Sequence, residues 1–247
     1  MLFRSLKKEE VEQLFLLAKK ITKEQVPLII GTGTNATEST IANTIDAQKL
    51  GAQAALVVVP YYNKPPQRGL FEHFTSVANA ANIPIILYNV PGRTVTSLDL
   101  NTVVDLSKNQ KIIGIKEASG NKNFAIELRK KCHKDFVLLS GDDATYVDFL
   151  EAGGDGVISV ASHIIPQQMK QWHALHMQNK TSEAKLDLKK WLPLIDLLFV
   201  ESNPIPVKKA AQILGLIELA DMRSPLSELS KKHTAALINE LKKQGLT

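Results

Sequence analysis

Short apolar runs alternate with amphipathic stretches over the first two thirds of the chain. The runs are rich in Val, Ile and Leu and are bounded by turn residues, which is typical of strands buried on both faces of a parallel sheet. They predict six strands, at 26–30, 54–59, 83–88, 112–116, 136–140 and 156–160. Pro27 and Pro84 stand near the starts of two runs, where a missing hydrogen-bond donor is tolerated.

Between these runs the apolar positions recur every three or four residues. In the segment 8–21, for example, Val11, Leu14, Phe15, Ala18 and Ile21 fall on one face, with Glu and Lys on the other. This spacing predicts helices near 8–21, 37–50, 67–81, 99–108, 122–132 and 143–152.

After residue 160 the strand pattern ends, and only helices are predicted, at 164–179, 183–200, 204–215 and 226–244. Alternation followed by a helical tail predicts an α/β fold of the TIM (β/α)8-barrel type, here with about six strands and a C-terminal helical extension. We divide the chain into a partial barrel at 1–163 and the extension at 164–247. A doubly wound open sheet is the alternative, although no complete Gly-x-Gly-x-x-Gly loop follows a predicted strand.

Composition and charge exclude several classes of function. Of 247 residues, 44% are apolar and 22% are charged, as in an ordinary globular protein. The net charge of +5 comes from lysine pairs scattered over predicted helix faces, so we expect no nucleic-acid partner. The most apolar stretch, 191–200, is too short to span a bilayer and contains Pro193 and Asp196, so we expect no membrane partner.

The cysteine count points to a reducing compartment. Cys132 is the only cysteine, which excludes an intrachain disulfide and a cysteine-rich metal site. The first residues lack the long apolar core of a secretion signal, so we expect a cytoplasmic protein. His173 and His176 are explained more simply as part of a helix face than as metal ligands, and we expect no metal.

Lys116 is the residue most indicative of chemistry. It closes an apolar run and so places a primary amine at the carboxyl end of a buried strand. Desolvation lowers the pKa of an amine and favours its neutral form, which can attack a carbonyl and form a Schiff base. A lysine that extends from the strand end into solvent would explain this segment equally well.

Two further side chains are predicted to lie near this amine. Tyr88 ends the preceding predicted strand and Arg93 follows it, and barrel enzymes carry their chemistry at the carboxyl ends of strands. One strand–helix–strand repeat separates Tyr88 from Lys116, so their side chains can converge in one pocket. Considered singly, a buried tyrosine and a surface arginine need no functional explanation.

Six motifs occur in the order found in the dihydrodipicolinate synthase family, within the pyruvate-dependent group that includes N-acetylneuraminate lyase, and the resemblance runs from about residue 26 to the C-terminus. They are Val59-Pro-Tyr-Tyr-Asn-Lys-Pro65, Leu87-Tyr-Asn-Val-Pro-Gly-Arg-Thr94, Gly114-Ile-Lys-Glu-Ala-Ser-Gly120, Leu139-Ser-Gly-Asp-Asp143, Gly156-Val-Ile-Ser159 and Phe199-Val-Glu-Ser-Asn-Pro-Ile-Pro-Val-Lys208. The resemblance implies a lyase of lysine and diaminopimelate biosynthesis that condenses pyruvate with aspartate semialdehyde to 4-hydroxy-tetrahydrodipicolinate.

The resemblance also implies the roles of the catalytic residues. Lys116 would form the Schiff base with pyruvate, and Tyr88 would donate and accept protons beside it. Tyr62 would belong to the proton relay and reach across a tight dimer contact into the neighbouring subunit's site. The implied oligomer is a dimer of dimers. No separate cofactor is expected, because the iminium on Lys116 is itself the electron sink.

Three further residues would bind substrate by the same resemblance. Arg93 would hold the carboxylate of aspartate semialdehyde at the pocket mouth, and sialic-acid lyases usually lack an arginine here. The carbonyl of Ile158 would line the pyruvate pocket, with Gly141 as a further substrate-binding residue.

Members of this family begin with two more strands, separated by a helix, before the segment 8–21. The second of these strands ends in Gly-Thr-Thr-Gly-Glu, whose threonines bind the pyruvate carboxylate. We therefore expect a six-stranded arc with open edges and exposed apolar faces. Two functional alternatives stay open beside the synthase: a catalytically inactive member that binds small carboxylates or a paralogue, and a related pyruvate-dependent aldolase.

Overall fold

The computed structural model describes residues 6–247, which form two compact units. The sheet unit comprises Leu6–Asp142 and Ala152–Val157. The helical unit comprises, among the described residues, Asp143–Glu151 and Ile158–Thr247. No helix within residues 6–247 is both long enough and apolar enough to cross a bilayer.

Six parallel strands make up the sheet, and each pairs with the next strand along the chain. The strands are β1 Ile29–Gly31, β2 Ala54–Val58, β3 Ile85–Asn89, β4 Ile112–Glu117, β5 Val137–Ser140 and β6 Gly156–Val157. This confirms the α/β class and the six predicted strands. The order has no reversal, so the doubly wound alternative is wrong. Among the described residues, β1 and β6 each have one sheet neighbour, so no closed eight-stranded barrel is formed there.

The two outermost strands are shorter than predicted, for local reasons. β1 begins at Ile29 because Pro27 has no N–H and the Leu28 N–H donates to the Gln53 side chain (2.7 Å). β6 ends at Val157, before the predicted end at residue 160. In the helical unit, the N–H groups of Val160 and Ala161 instead donate to the Asp143 carboxylate, at 3.0 and 2.8 Å.

Six helices accompany the strands of the sheet unit. They are α1 Lys8–Thr22, α2 Thr37–Leu50, α3 Gln67–Ala80, α4 Pro91–Thr94, α5 Leu100–Ser107 and α6 Lys122–Lys131. Side chains cap two of them: Asp99 accepts from the Thr102 N–H at 2.7 Å, and Asn121 accepts from the Phe124 N–H at 3.1 Å. The short helix α4 was not predicted, and a proline at its first position suits a helix start.

The core of the sheet unit lies between the sheet and these helices. Fully buried side chains of the sheet meet fully buried side chains of α3, α5 and α6; they include Val57, Ile85, Leu87, Ile115, Leu138, Leu70, Phe74, Val103 and Leu128. The apolar face predicted for α1 is different. Among the described residues only Phe15 of that helix is buried, while Leu14, Leu17 and Ile21 are exposed, as expected beside an open sheet edge.

The helical unit consists of α7 Tyr146–Glu151, a 3₁₀ turn Ala161–His163, α8 Pro166–Met177, α9 Thr181–Leu198, α10 Ile205–Ile213 and α11 Lys231–Lys243. Helix α9 packs against the other four helices of this unit. Trp172 is completely buried, and its indole N–H donates to Asp187 at 2.9 Å. α11 begins five residues later than predicted, because Ser230 caps it by accepting from the His233 N–H.

Candidate active site

Lys116 and Tyr88 lie side by side at the carboxyl ends of β4 and β3. They are register partners in the sheet, and each is only 4% exposed. The Lys116 Nζ lies 4.3 Å from the centroid of the Tyr88 ring. The amine is therefore buried against an aromatic face, and a solvent-extended lysine, the alternative left open by the sequence, is excluded.

Gly141 makes room for the Lys116 side chain. It follows β5, and its N–H donates to the Glu117 carbonyl at 2.7 Å. A Cβ at this position would lie 2.9 Å from the Lys116 Cε and 2.5 Å from the Ala118 Cβ. Such distances are too short for any side chain, so the lysine stem occupies its position because residue 141 is a glycine.

Tyr88 and Arg93 are coupled electrostatically. Burial raises the pKa of the Tyr88 phenol, and the positive charge of Arg93 acts in the opposite direction. The net shift is upward, so the phenol is protonated at neutral pH and can act as a proton donor. Arg93 itself is exposed on α4, where its N–H donates to the Val90 carbonyl at 2.9 Å.

The structure does not bring Tyr62 to this pair within the chain. Its side chain is 88% exposed, and its backbone has a φ of 74°, an uncommon value for a residue other than glycine. The preceding Tyr61, in contrast, packs against a buried cluster of Val58, Tyr88 and Val90. Ile158 is half-buried and belongs to the helical unit, just beyond the end of β6.

The sequence profile of the dihydrodipicolinate synthetase family matches residues 3–244. The chain belongs to this family. The 4-hydroxy-tetrahydrodipicolinate synthase of Bdellovibrio bacteriovorus is 54% identical over 237 residues, which are 96% of this chain and 81% of that protein. The corresponding protein of Alkaliphilus oremlandii is 44% identical over 241 residues, 96% of this chain and 82% of that one.

Solved structures of the dihydrodipicolinate synthase family share this fold. The protein of Thermotoga maritima aligns with a TM-score of 0.96 at 37% identity, over 99% of this chain and 84% of that one. The chloride-inhibited protein of Acinetobacter baumannii, complexed with pyruvate, aligns with a TM-score of 0.95 at 39% identity, again over 99% and 84%. The six-stranded arrangement is thus the TIM-barrel type of this family.

Two buried polar residues within the dihydrodipicolinate synthase motifs had no role assigned from the sequence. Asn89 follows Tyr88, Glu117 follows Lys116, and the two are again register partners. They are 1% and 3% exposed, and the Asn89 amide donates to the Glu117 carboxylate at 2.7 Å. Burial raises the pKa of Glu117 above its ordinary value. Hydrogen bonds from Ser119 and Asn89 act in the opposite direction and offset only part of this rise. The sequence feature that could have indicated this pair is the presence of a polar residue directly after each of two adjacent predicted strands.

Within residues 6–247, no group of three or more His, Cys, Asp or Glu side chains is arranged to hold a metal ion. The two histidines of α8 have other partners: His173 lies 2.9 Å from the Tyr146 hydroxyl and His176 lies 3.0 Å from the Thr181 hydroxyl.

Proposed function

We propose that this chain condenses pyruvate with aspartate semialdehyde through a Schiff base on Lys116, yielding 4-hydroxy-tetrahydrodipicolinate for lysine and diaminopimelate biosynthesis. The observation that carries the proposal is a buried amine that lies 4.3 Å from the centroid of a buried tyrosine ring. Family membership and relatives named as 4-hydroxy-tetrahydrodipicolinate synthase support the choice of reaction.

The reaction begins when the neutral Lys116 amine attacks the keto carbon of pyruvate and water leaves. The resulting iminium withdraws electrons, so a proton is lost from the methyl carbon and an enamine forms. The enamine carbon attacks the aldehyde of the second substrate, and the new alkoxide takes up a proton. The amino group of that substrate then attacks the iminium carbon, closes the ring and releases Lys116. No metal or prosthetic group is needed, since the iminium serves as the electron sink.

Tyr88 is the proposed proton carrier for these steps. Its phenol is protonated at neutral pH because burial raises its pKa, and its ring lies against the amine. It can therefore protonate the departing hydroxyl during iminium formation and accept a proton later. Tyr62 is the proposed next member of the relay. Its exposed side chain suits a contact with a second copy of the chain, in the proposed dimer of dimers.

Substrate selection falls to three residues in this proposal. Arg93 binds the carboxylate of aspartate semialdehyde, for which an exposed guanidinium is suited. Gly141 leaves space beside the Lys116 stem, and the carbonyl of Ile158 contributes to binding pyruvate. The single cysteine, Cys132, is buried, which agrees with a proposed cytoplasmic location.

Borohydride trapping tests the proposal directly. We expect pyruvate and borohydride to add to Lys116 a mass equal to pyruvate minus water plus two hydrogens. The Lys116→Arg variant keeps the charge but should show no adduct, since a guanidinium does not form the iminium. A wild-type protein that is folded yet never trapped would contradict the proposal and favour a catalytically inactive member of the family.

A further inference from the structure

A chain of buried and partly buried hydrogen bonds begins at the residues that follow Tyr88 and Lys116. The Asn89 amide nitrogen donates to Glu117 Oε2 at 2.7 Å, and the other carboxylate oxygen, Oε1, accepts from the Ser119 N–H at 2.6 Å. At the other end of the same side chain, the amide oxygen of Asn89, Oδ1, accepts from the Leu98 N–H at 3.0 Å and from the Ser97 hydroxyl at 3.4 Å. We call this set of bonds the Glu117–Asn89 relay.

The relay closes the loop that carries Arg93. The loop leaves β3 at Asn89, forms α4 and returns at Leu98, whose N–H is held by the Asn89 side chain. Inside the loop, the Thr94 hydroxyl lies within hydrogen-bond distance of the Val90 carbonyl (3.0 Å) and the Thr96 carbonyl (2.7 Å). The side chain that begins the loop therefore also fixes its end, and Arg93 lies between them.

A second tie holds the same loop from outside. The Gln67 amide donates to the Ser97 carbonyl at 2.7 Å and accepts from the Asp99 N–H at 3.1 Å. Gln67 is half-buried, and its two hydrogen bonds are exposed and compete with water, whereas the Asn89–Glu117 and Asn89–Leu98 bonds of the relay are buried. Buried hydrogen bonds cost more to break, because the orphaned groups are not resolvated.

The carboxylate sets which way the Asn89 amide faces. An ionised carboxylate only accepts hydrogen bonds, so the NH2 group of Asn89 must point to Glu117 and its oxygen must point to Leu98. A glutamine at position 117 cannot satisfy both of its neighbours. In one orientation the NH2 group of the glutamine faces the Ser119 N–H, and in the other it faces the NH2 group of Asn89, so two donors meet in either case.

We propose that Glu117 is a positioning residue, which acts through Asn89 to hold the Arg93 loop at the mouth of the Lys116 site. The proposal rests on the proposed function, because it assigns to this loop the binding of the second substrate, aspartate semialdehyde. Lys116 and Tyr88 are held by the sheet itself, so the relay affects the second substrate and leaves pyruvate capture intact.

The test is a pair of variants, Glu117→Gln and the exchange Asn89→Asp/Glu117→Gln. The single variant breaks one link, and we expect a KM for aspartate semialdehyde about ten- to a hundredfold higher, as for other misplaced binding groups. Its rate of borohydride trapping with pyruvate should stay within about twofold of wild type. Trypsin should also cleave after Arg93 faster than in wild type, since the loop is less ordered.

The exchange variant restores every hydrogen bond with the charge moved to position 89. The new carboxylate at position 89 would accept from the Leu98 N–H and from the new amide at position 117. The oxygen of that amide would accept from the Ser119 N–H. We expect its KM for the semialdehyde and its trypsin cleavage rate to return to near the wild-type values. Glu127→Gln, the same change at a half-buried glutamate of α6, is the matched control and should change neither value.

Each outcome decides the proposal. An unchanged KM in Glu117→Gln, or a folded exchange variant that stays impaired, would overturn it. Loss of pyruvate trapping in the single variant would place the role of Glu117 at the amine instead of the loop, and failure of both variants to fold would make the relay purely structural. Absence of trapping in the wild-type protein would instead contradict the proposed function itself.

Discussion

The Gly141→Ala substitution, which adds a single methyl group, should slow the reaction of pyruvate with Lys116 much more than it destabilises the fold. The Cβ of an alanine there would lie 2.9 Å from the Lys116 Cε and 2.5 Å from the Ala118 Cβ. Carbon atoms in contact are ordinarily about 3.5–4.0 Å apart, so the gaps must widen by roughly 1 Å. The contact with the rigid Ala118 side chain can be relieved only by a small backbone shift, whereas the contact with the lysine is relieved by a displacement of its flexible stem.

Two magnitudes follow from this displacement. Overpacking of this kind costs about 1–3 kcal/mol of folding free energy, which a domain of this size tolerates. A reacting group displaced by about 1 Å loses up to about a hundredfold in rate. We therefore expect Gly141→Ala to remain folded and to form the trapped pyruvate adduct between about ten and a hundred times more slowly than the wild type.

The matched control is another glycine of the sheet unit. A Cβ at Gly156, in β6, would meet only the Leu139 Cδ2 at 3.4 Å, which is close to ordinary contact. Gly156→Ala should therefore leave the trapping rate within about twofold of wild type and change stability by less than about 1 kcal/mol.

The assay follows adduct formation by mass spectrometry under single-turnover conditions, with urea unfolding of the same samples. Equal trapping rates for Gly141→Ala and the wild type would refute the argument that this glycine sets the position of the amine. Equal slowing in Gly156→Ala would show that any strain in the sheet, and not contact with Lys116, is responsible.

Three further predictions concern other parts of the sheet unit. Burial lowers the pKa of His73 to about 4, so this histidine takes up a proton in the unfolded chain before it does so in the folded protein as the pH falls. Relative to the His73→Asn variant, the wild type should therefore lose about 3 kcal/mol of unfolding free energy between about pH 7 and pH 4. Parallel curves of unfolding free energy against pH for the two proteins would contradict this. Arg93→Ala should raise the KM for aspartate semialdehyde about ten- to a hundredfold without slowing pyruvate trapping, with partial recovery in Arg93→Lys. Arg129→Lys should cost about 1–3 kcal/mol in urea unfolding, because its guanidinium donates to the carbonyls of Gly153 and Phe136, which a single ammonium cannot reach together.

The strand positions could be predicted because buried parallel strands are coded by continuous apolar runs. The four inner strands agree with their predicted positions to within two residues. Their ends coincide with the changes from apolar to polar residues on which the predictions were based. The errors fall on β1 and β6, where the Gln53 and Asp143 side chains take the N–H groups that a neighbouring strand would otherwise bind. Such long-range side-chain partners leave no periodic signal.

The Lys116–Tyr88 pair was predictable for a related reason. Once the strands are placed, one strand–helix–strand repeat brings equivalent positions into register, and the structure has the two residues opposite one another. The environment of the pair was not predictable in the same way. The close approach of Gly141 to the lysine stem, and the positive φ of the exposed Tyr62, depend on backbone geometry that no pattern of residue types specifies.

The two proposed substrates depend on parts of the molecule with different rigidity. Lys116 and Tyr88 belong to adjacent strands inside the core, where any displacement disturbs packing on both faces of the sheet. Arg93 lies on an exposed loop whose position depends on a few hydrogen bonds from Asn89 and Gln67. A change in this loop can alter which aldehyde is accepted while pyruvate chemistry on Lys116 is retained.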